Sequence, residues 1–213
     1  TIVGAASLGA TSAYIGKVRN DSLGDVFAGD MTAQGITFDV PRAETGDPTG
    51  RCLILVSDDG ERTMSTYLGA SVGLSPSDID ADLVRRGKLL YLEGYLWDPP
   101  LAKAAMREAC SIARAAGNMV TLTLSDSFCV ERHRESFIEL IDQHVDVLFA
   151  NEDEIMSLYE VDNLDAVIER IRGHVGIGAI TRSSKGSSII TDNERIDIPA
   201  EPVAHVIDTT GAG

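Results

Sequence analysis

The sequence predicts an α/β protein, in which a mostly parallel sheet is covered by helices on both faces and a smaller β-rich region stands apart. Two observations support this fold class. From Ser75 onward, helical patterns alternate with short apolar runs, as they do where helices join parallel strands. Residues 36–67 instead hold two β-rich runs around an Asp-Gly pair, which is typical of a hairpin.

The first third of the chain places the β-rich region between two parts of the larger one. The opening residues, TIVGAASLGA, have helical spacing, and residues 13–21 have the composition of a strand that ends in an Asn-Asp turn. A second helix is predicted over residues 22–35. We therefore expect an α/β core of residues 1–35 and 68–213, and a separate β-rich unit of residues 36–67.

After residue 75, capping signals bound the predicted helices. A serine starts the first of these helices and a glycine ends it, and the next helix has proline near its first turn. Helices are predicted over residues 75–87, 99–117, 131–144, 151–160 and 163–174. Strands are predicted over residues 88–96, 118–125, 145–150, 175–182, 186–191, 194–200 and 202–208.

The composition limits the classes of partner. The 213 residues include 18 Lys and Arg against 33 Asp and Glu, for a formal net charge of −15. Because proteins bind duplex nucleic acid by neutralising its phosphates, this acidity argues against a nucleic-acid partner. No run reaches the roughly 20 apolar residues of a membrane span. The three separated cysteines are interpreted as small buried residues of a cytoplasmic protein.

The polar clusters follow the predicted strands. In open parallel sheets, ligands bind beyond the carboxyl ends of the strands. That rule selects Glu93, Ser125–Asp126, Asn151–Glu154, Thr181–Gly186 and Asp208–Gly213. The clusters chosen by their chemistry are the same ones, so a ligand site at this edge of the sheet is the main functional prediction.

Two of these clusters allow both a functional and a purely structural interpretation. Asn151 and Glu154 lie three residues apart at a helix start and suit a hydrated Mg²⁺, but an ordinary helix cap has the same pattern. The segment TRSSKG at 181–186 offers hydroxyls, an arginine and a glycine to a nucleotide, but it is also a common hairpin turn.

The terminal segment VIDTTGAG allows three interpretations. Its glycines permit a backbone to approach an anion closely, and its threonines add hydroxyl donors. It could instead open a dinucleotide-binding fingerprint, or be a plain strand-to-helix turn.

The order of these motifs resembles that of the PfkB (ribokinase-like) carbohydrate and nucleoside kinases. DTTGAG at 208–213 is similar to the family's D-T-x-G-A-G-D signature, and YIGKVRNDSLG at 14–24 is similar to G-x-[VI]-G-x-D-x-x-G, with Arg19 where glycine is usual. NEDE resembles the N-x-x-E motif, and TRSSKG resembles T-x-G-x-x-G with Ser183 at the middle glycine. GERTMSTYLGAS looks like the lid segment, while YLEGYLWD and SDSFCVERHRESF resemble adenosine-kinase-like members.

The resemblance implies a three-layer αβα fold whose small sheet, residues 36–67, is a lid. Because an uncovered sheet edge or face tends to find a partner, this lid is also a candidate contact for a homodimer. It implies transfer of a phosphoryl group from ATP to a primary hydroxyl of a sugar or nucleoside. Gly211, Ala212 and Gly213 would form an anion hole, and the catalytic aspartate would come directly after Gly213. A substrate-binding G-G-x-x-x-N would precede Thr1. The chain is therefore expected to be an internal fragment that is inactive alone.

The same resemblance implies roles for the other site residues. Asn151 and Glu154 would order Mg²⁺ and its waters, and the ATP site would be lined by Thr181, Arg182, Ser184 and Gly186. Asp208 and Thr210 match positions that hold a monovalent cation, with K⁺ as the candidate. Glu93 is a candidate for binding a substrate hydroxyl, although a plain strand-end carboxylate explains it equally well. Arg62 is a candidate for a contact with phosphate or substrate from the lid, although a solvated lid charge explains it better.

Two other function classes remain as alternatives. One is an NAD-dependent dehydrogenase on the same type of sheet, which is disfavoured because its glycine-rich turn should follow the first strand. The other is a non-catalytic remnant that still binds a nucleotide.

Overall fold

The computed structural model describes residues 1–58, 60 and 62–202. The strands in this part of the chain are β1 Arg51–Val56, β2 Arg62–Tyr67, β3 Leu89–Glu93, β4 Met119–Thr123, β5 Val147–Asn151, β6 Ile177–Thr181, β7 Ser187–Ile190 and β8 Arg195–Ile198. The helices are α1 Ile2–Ser7, α2 Ser22–Ala33, α3 Ala81–Arg86, α4 Pro100–Ala115, α5 Ser127–His144, α6 Glu152–Tyr159 and α7 Leu164–Ile171. None of these described helices is both long enough and apolar enough to span a bilayer.

Strands β3 to β8 form one six-stranded sheet in chain order. β3 pairs with β4, β4 with β5 and β5 with β6, all in parallel, whereas β7 is antiparallel to both β6 and β8. Helices make the crossovers between the parallel strands, which a parallel pair requires. The predicted α/β fold, with a mostly parallel sheet flanked by helices and a small sheet beside it, is confirmed.

The core lies on both faces of this sheet. Val120, Thr121 and Leu122 are consecutive in β4, and each is at most 1% exposed. Because successive side chains of a strand point to opposite faces, both faces are covered. Helix α4 packs against β3 and β4, and α6 packs against β5 and β6. The strand ends are therefore held by a packed interior.

The small sheet is an antiparallel hairpin that is exposed on both faces. Its register runs from Arg51 opposite Tyr67 to Val56 opposite Arg62. All six residues of β1 are exposed, including Leu53 at 69% and Leu55 at 72%. A two-stranded hairpin is marginally stable by itself, so these apolar side chains are available to another surface.

The predicted strand over residues 13–21 is wrong. The segment makes only isolated parallel bridges, from Ala13 to Thr37 and from Arg19 to Ala43. It thus lies alongside the chain that follows α2 and forms a β-bridge with it at two points, without the continuous ladder that defines a strand.

Two further local predictions were also wrong. Residues 75–87 do not form one helix, because a 3₁₀ turn at Pro76–Asp78 is followed by a new start, where the Asp80 side chain caps α3 by accepting from the backbone of Leu83 at 3.0 Å. Cys110 and Cys129 are buried, but Cys52 is exposed because it lies in the solvent-facing strand β1.

Candidate active site at the carboxyl edge of the sheet

Three of the strand-end residues predicted from the sequence lie at one edge of the sheet. Glu93, Asn151 and Thr181 are the last residues of β3, β5 and β6. Asn151 and Thr181 are register partners, so the start of α6 and the turn after β6 are neighbours. Glu93 lies three strands away from Thr181, and their two strands are about 14 Å apart at the usual strand spacing.

Asn151 and Glu154 form a reciprocal cap on α6. The Asn151 side chain accepts from the Glu154 backbone N–H at 2.8 Å, and the Glu154 carboxylate accepts from the Asn151 backbone N–H at 3.0 Å and its side-chain N–H at 2.8 Å. The motif therefore forms the helix cap that was one of its two interpretations. It does not use up the carboxylate, since each carboxylate oxygen has a second lone pair.

The Glu154 carboxylate is buried, at 7% exposure. Burial raises the pKa of this carboxyl group, and the nearby negative charges of Asp126 and Asp153 raise it further. A cation beside this group would offset both effects. One buried carboxylate and one amide fit a hydrated Mg²⁺, which keeps most of its waters, and they do not fit an ion held only by protein ligands.

A second polar group surrounds the end of β3. The Ser125 hydroxyl lies 3.5 Å from the Glu93 carboxylate, and Ser125 itself has a φ of +74°. Burial raises the pKa of the hydroxyl of Tyr95, two residues after Glu93, and the nearby Asp126 adds to the increase. Burial likewise raises the pKa of Tyr14, with a contribution from the charge of Glu93.

The sequence reasoning missed both tyrosines. Tyr95 lies inside the predicted strand over residues 88–96, two residues after Glu93, so extending the strand-end rule by two residues beyond Glu93 would have found it. Tyr14 reaches the Glu93 region from a segment far away in the sequence, and no local pattern indicates this.

The turn after β6 keeps a left-handed backbone without a glycine at its middle position. Ser183 has a φ of +51° and Gly186 a φ of +90°. The backbone N–H of Arg182 donates to the Gly186 carbonyl at 2.8 Å and closes the turn. A Cβ at Gly186 would lie 2.0 Å from the Ile198 carbonyl oxygen, so this glycine is required.

The Asp21 region of the first signature is a structural anchor. The Asp21 carboxylate accepts from the Gly24 backbone N–H at 2.8 Å, which caps α2, and from the Thr49 hydroxyl at 2.7 Å and backbone N–H at 2.9 Å. The hydrogen bonds from Thr49 are the main reason that the pKa of Asp21 is lowered. This residue therefore fixes the start of the small sheet to α2.

The remaining predicted residues lie in the small sheet or outside the described residues. Arg62 is the first residue of β2 in the small sheet. Gly211, Ala212 and Gly213, predicted as the anion hole, and Asp208 and Thr210, predicted as a cation site, fall outside the described residues.

A covered parallel sheet with its polar groups at the carboxyl edge defines an open α/β protein with a ligand site at that edge. The comparison with known families is more specific. Residues 1–213 match the pfkB family of carbohydrate kinases, and the chain belongs to this family.

Relatives in this family include kinases of sugars. An uncharacterized sugar kinase of Archaeoglobus fulgidus is 26% identical over 213 residues, covering 99% of this chain and 82% of that protein. Probable fructokinase-4 of Arabidopsis thaliana is 24% identical over 97% of this chain and 65% of its own length.

The solved structures agree with a ribokinase-like fold. The adenosine kinase of Sinorhizobium meliloti is 46% identical, with a TM-score of 0.94 over 99% of this chain and 65% of that one. A putative ribokinase II from E. coli in complex with ATP and Mg²⁺ is 20% identical, with a TM-score of 0.88 over 99% of this chain and 69% of that one, and it supports the fold alone. The chain thus spans about two thirds of these structures.

Proposed function

We propose that this chain is the larger part of an ATP-dependent kinase that phosphorylates a primary hydroxyl of a sugar or nucleoside. The observation that carries the proposal is the register pairing of Asn151 with Thr181. It sets an amide and a buried carboxylate directly beside the turn proposed to hold the nucleotide, which phosphoryl transfer needs because its catalysis is mostly positioning and charge neutralisation.

On the nucleotide side, Thr181, Arg182, Ser184 and Gly186 form the proposed ATP-binding turn. Asn151 and Glu154 are the proposed holders of a hydrated Mg²⁺, and their hydrogen-bonded arrangement keeps both side chains fixed at the start of α6. When bound, the ion would neutralise charge on the phosphates.

On the acceptor side, Glu93 is the proposed partner of a substrate hydroxyl. It lies near Ser125, on a strand about 14 Å from the strand that ends at Thr181, and this separation leaves room for a phosphate chain between nucleotide and acceptor. Tyr14 and Tyr95 border the same region and add hydroxyl groups to it.

The terminal motif completes the proposal. Gly211, Ala212 and Gly213 are proposed to supply backbone N–H donors to the migrating phosphoryl group, followed by an aspartate that deprotonates the acceptor. Asp208 and Thr210 are proposed to hold K⁺. Such a kinase would work in the cytoplasm, where ATP is available.

The small sheet is proposed to be the lid and to pair with a second copy of the chain. The exposed leucines of β1 support this, since contiguous exposed apolar surface and open sheet edges tend to mark interaction sites. Arg62 is proposed to contact substrate or phosphate when the lid is closed, which would exclude water as a competing acceptor.

A substrate panel on the full-length protein tests this function. ATP consumption is measured with adenosine, ribose and fructose, with Mg²⁺ and K⁺ each present or omitted, and a sample without acceptor gives the background. We expect acceptor-dependent consumption that needs Mg²⁺, and saturable binding of ATP with none of NAD. Binding of NAD, or binding of ATP with no turnover on any acceptor, would contradict the proposed kinase.

A further inference from the structure

The Arg182 side chain is held by three groups of the protein itself. Its Nε lies 3.4 Å from a carboxylate oxygen of Glu152, the first residue of α6. Its Nη1 lies 3.4 Å from the Ser188 hydroxyl of β7 and 3.6 Å from a carboxylate oxygen of Asp197 on β8. The Arg182 side chain is only 17% exposed. One guanidinium thus joins a helix to both strands of a hairpin.

The charges around Arg182 argue against a direct phosphate contact. Two carboxylates, those of Glu152 and Asp197, already lie within ion-pair distance of its single positive charge. A phosphate would have to compete with both of them. The Ser188 hydroxyl donates to Asp197 at 2.5 Å and is fully buried, so the hairpin side of this arrangement is fixed.

The helix side carries the proposed metal-binding residues. Glu152 lies between Asn151 and Glu154 in the first turn of α6, and the Lys185 ammonium reaches it as well, at 3.0 Å. Arg182 and Lys185, near the two ends of the turn after β6, therefore both contact the Glu152 carboxylate. Any movement of this helix turn relative to the nucleotide turn would have to break these ion pairs.

We propose that Arg182 is a positioning residue, whose guanidinium ties the first turn of α6 to the β7–β8 hairpin. By doing so it keeps Asn151 and Glu154 in place beside the 181–186 turn; Arg182 belongs to the proposed ATP-binding turn through its backbone, and its side chain does not bind the phosphates. This inference rests on the proposed kinase function. Substitution of a residue that supports metal ligands commonly lowers metal affinity or activity by about 10- to 100-fold.

The test uses the full-length protein and four variants: R182Q, E152Q, the double variant and R195Q. The control, Arg195, also pairs with two carboxylates, those of Asp197 at 2.8 Å and Asp165 at 3.0 Å, but neither belongs to the first turn of α6. For each protein, kcat and the KM for ATP are measured with Mg²⁺, and the affinity for metal-free ATP is measured by calorimetry.

A positioning role predicts that R182Q and E152Q each lower kcat about tenfold, with the affinity for metal-free ATP changed less than threefold. The double variant should fall no more than about twofold below the worse single variant, because both substitutions break the same link. R195Q should keep kcat within about twofold of the unmodified protein. If R182Q does not fold, E152Q tests the same link from the other side.

Two results would overturn the inference while leaving the kinase proposal intact. One is a tenfold or greater loss of metal-free ATP affinity in R182Q that E152Q does not share, which would indicate a direct phosphate contact. The other is an unchanged kcat in both single variants. Absence of ATP binding by the unmodified protein would instead remove the proposed function, and this inference with it.

Discussion

Ser183 carries a backbone conformation that favours glycine. Its φ of +51° places it in the left-handed region, which costs most residues roughly 1–2 kcal/mol. Ser183→Gly removes this cost but gives the unfolded chain more freedom, so we expect the free energy of unfolding to rise by up to about 1 kcal/mol. Denaturant unfolding of the full-length variant measures the change.

Ser184 offers a matched control for this prediction. It is an exposed serine in the same 3₁₀ turn and has no positive φ. Ser184→Gly should therefore lower the free energy of unfolding by about 0.5–1 kcal/mol. If both glycine variants lose stability equally, the left-handed conformation of Ser183 does not control the stability of the turn.

Glu154 makes stability depend on pH. Because burial raises the pKa of this carboxyl group in the folded state, the folded protein binds a proton that the unfolded chain has already released. The contribution of Glu154 to the free energy of unfolding is therefore largest at low pH. It falls as pH rises from the ordinary glutamate value of about 4.3 through the raised folded-state value.

The variant E154Q should lack this part of the pH dependence. The free energy of unfolding of the unmodified protein, minus that of E154Q, should decrease as pH is raised through this interval. D165N removes an 89% exposed acid from the first turn of α7 and should keep the slope. A difference between the unmodified protein and E154Q that rises with pH would contradict the raised pKa.

At the scale of elements, the chain segments just before β1 and just after β2 contact each other at Gly69. Gly69 has a φ of +53°, and a Cβ at this position would lie 2.1 Å from the Pro48 carbonyl oxygen. Gly69→Ala should thus lower the free energy of unfolding by at least about 2 kcal/mol, as measured by denaturant unfolding.

Gly73, which ends the same 3₁₀ segment, is the control. A Cβ there would meet only the Lys17 side chain, at 3.9 Å, so Gly73→Ala should change stability by less than about 1 kcal/mol. Equal decreases in the free energy of unfolding of the two variants would show that the contact between Gly69 and Pro48 is not tightly packed.

The elements also show how far local pattern could go. Strands β3 to β6 were predictable because their buried apolar runs lie between helices with recognisable ends. Residues 13–21 have the composition of a strand, but they form only two isolated β-bridges, to Thr37 and Ala43. Whether a segment forms a continuous ladder depends on which parts of the chain the fold places beside it, and the composition of the segment does not determine this.

At the scale of the whole molecule, the candidate site was predictable only in outline. The strand-end rule brought Glu93, Asn151 and Thr181 to one edge, since it needs only the order of strands and helices. The strand-end rule did not predict the interactions between segments that are far apart in the sequence. Arg182 pairs with Glu152 across 30 residues of sequence, and the charge of Glu93 raises the pKa of Tyr14 across a longer stretch of sequence.

The small sheet provides the last prediction, that of a homodimer. Leu53 and Leu55 lie on one face of β1, are 69% and 72% exposed, and would be buried against a second copy of the chain. The double substitution Leu53→Thr and Leu55→Thr keeps residues that favour strands and removes apolar surface. We expect the unmodified full-length protein to sediment as a dimer, and this variant to sediment as a folded monomer.

Leu8 supplies the control, because it is a 91% exposed leucine outside the small sheet. Leu8→Thr should remain dimeric at the same concentrations. The circular dichroism spectrum of each variant shows that a change in sedimentation does not come from unfolding. An unmodified protein that is monomeric throughout, or a double variant that stays dimeric, would show that this hairpin face is not the contact between copies.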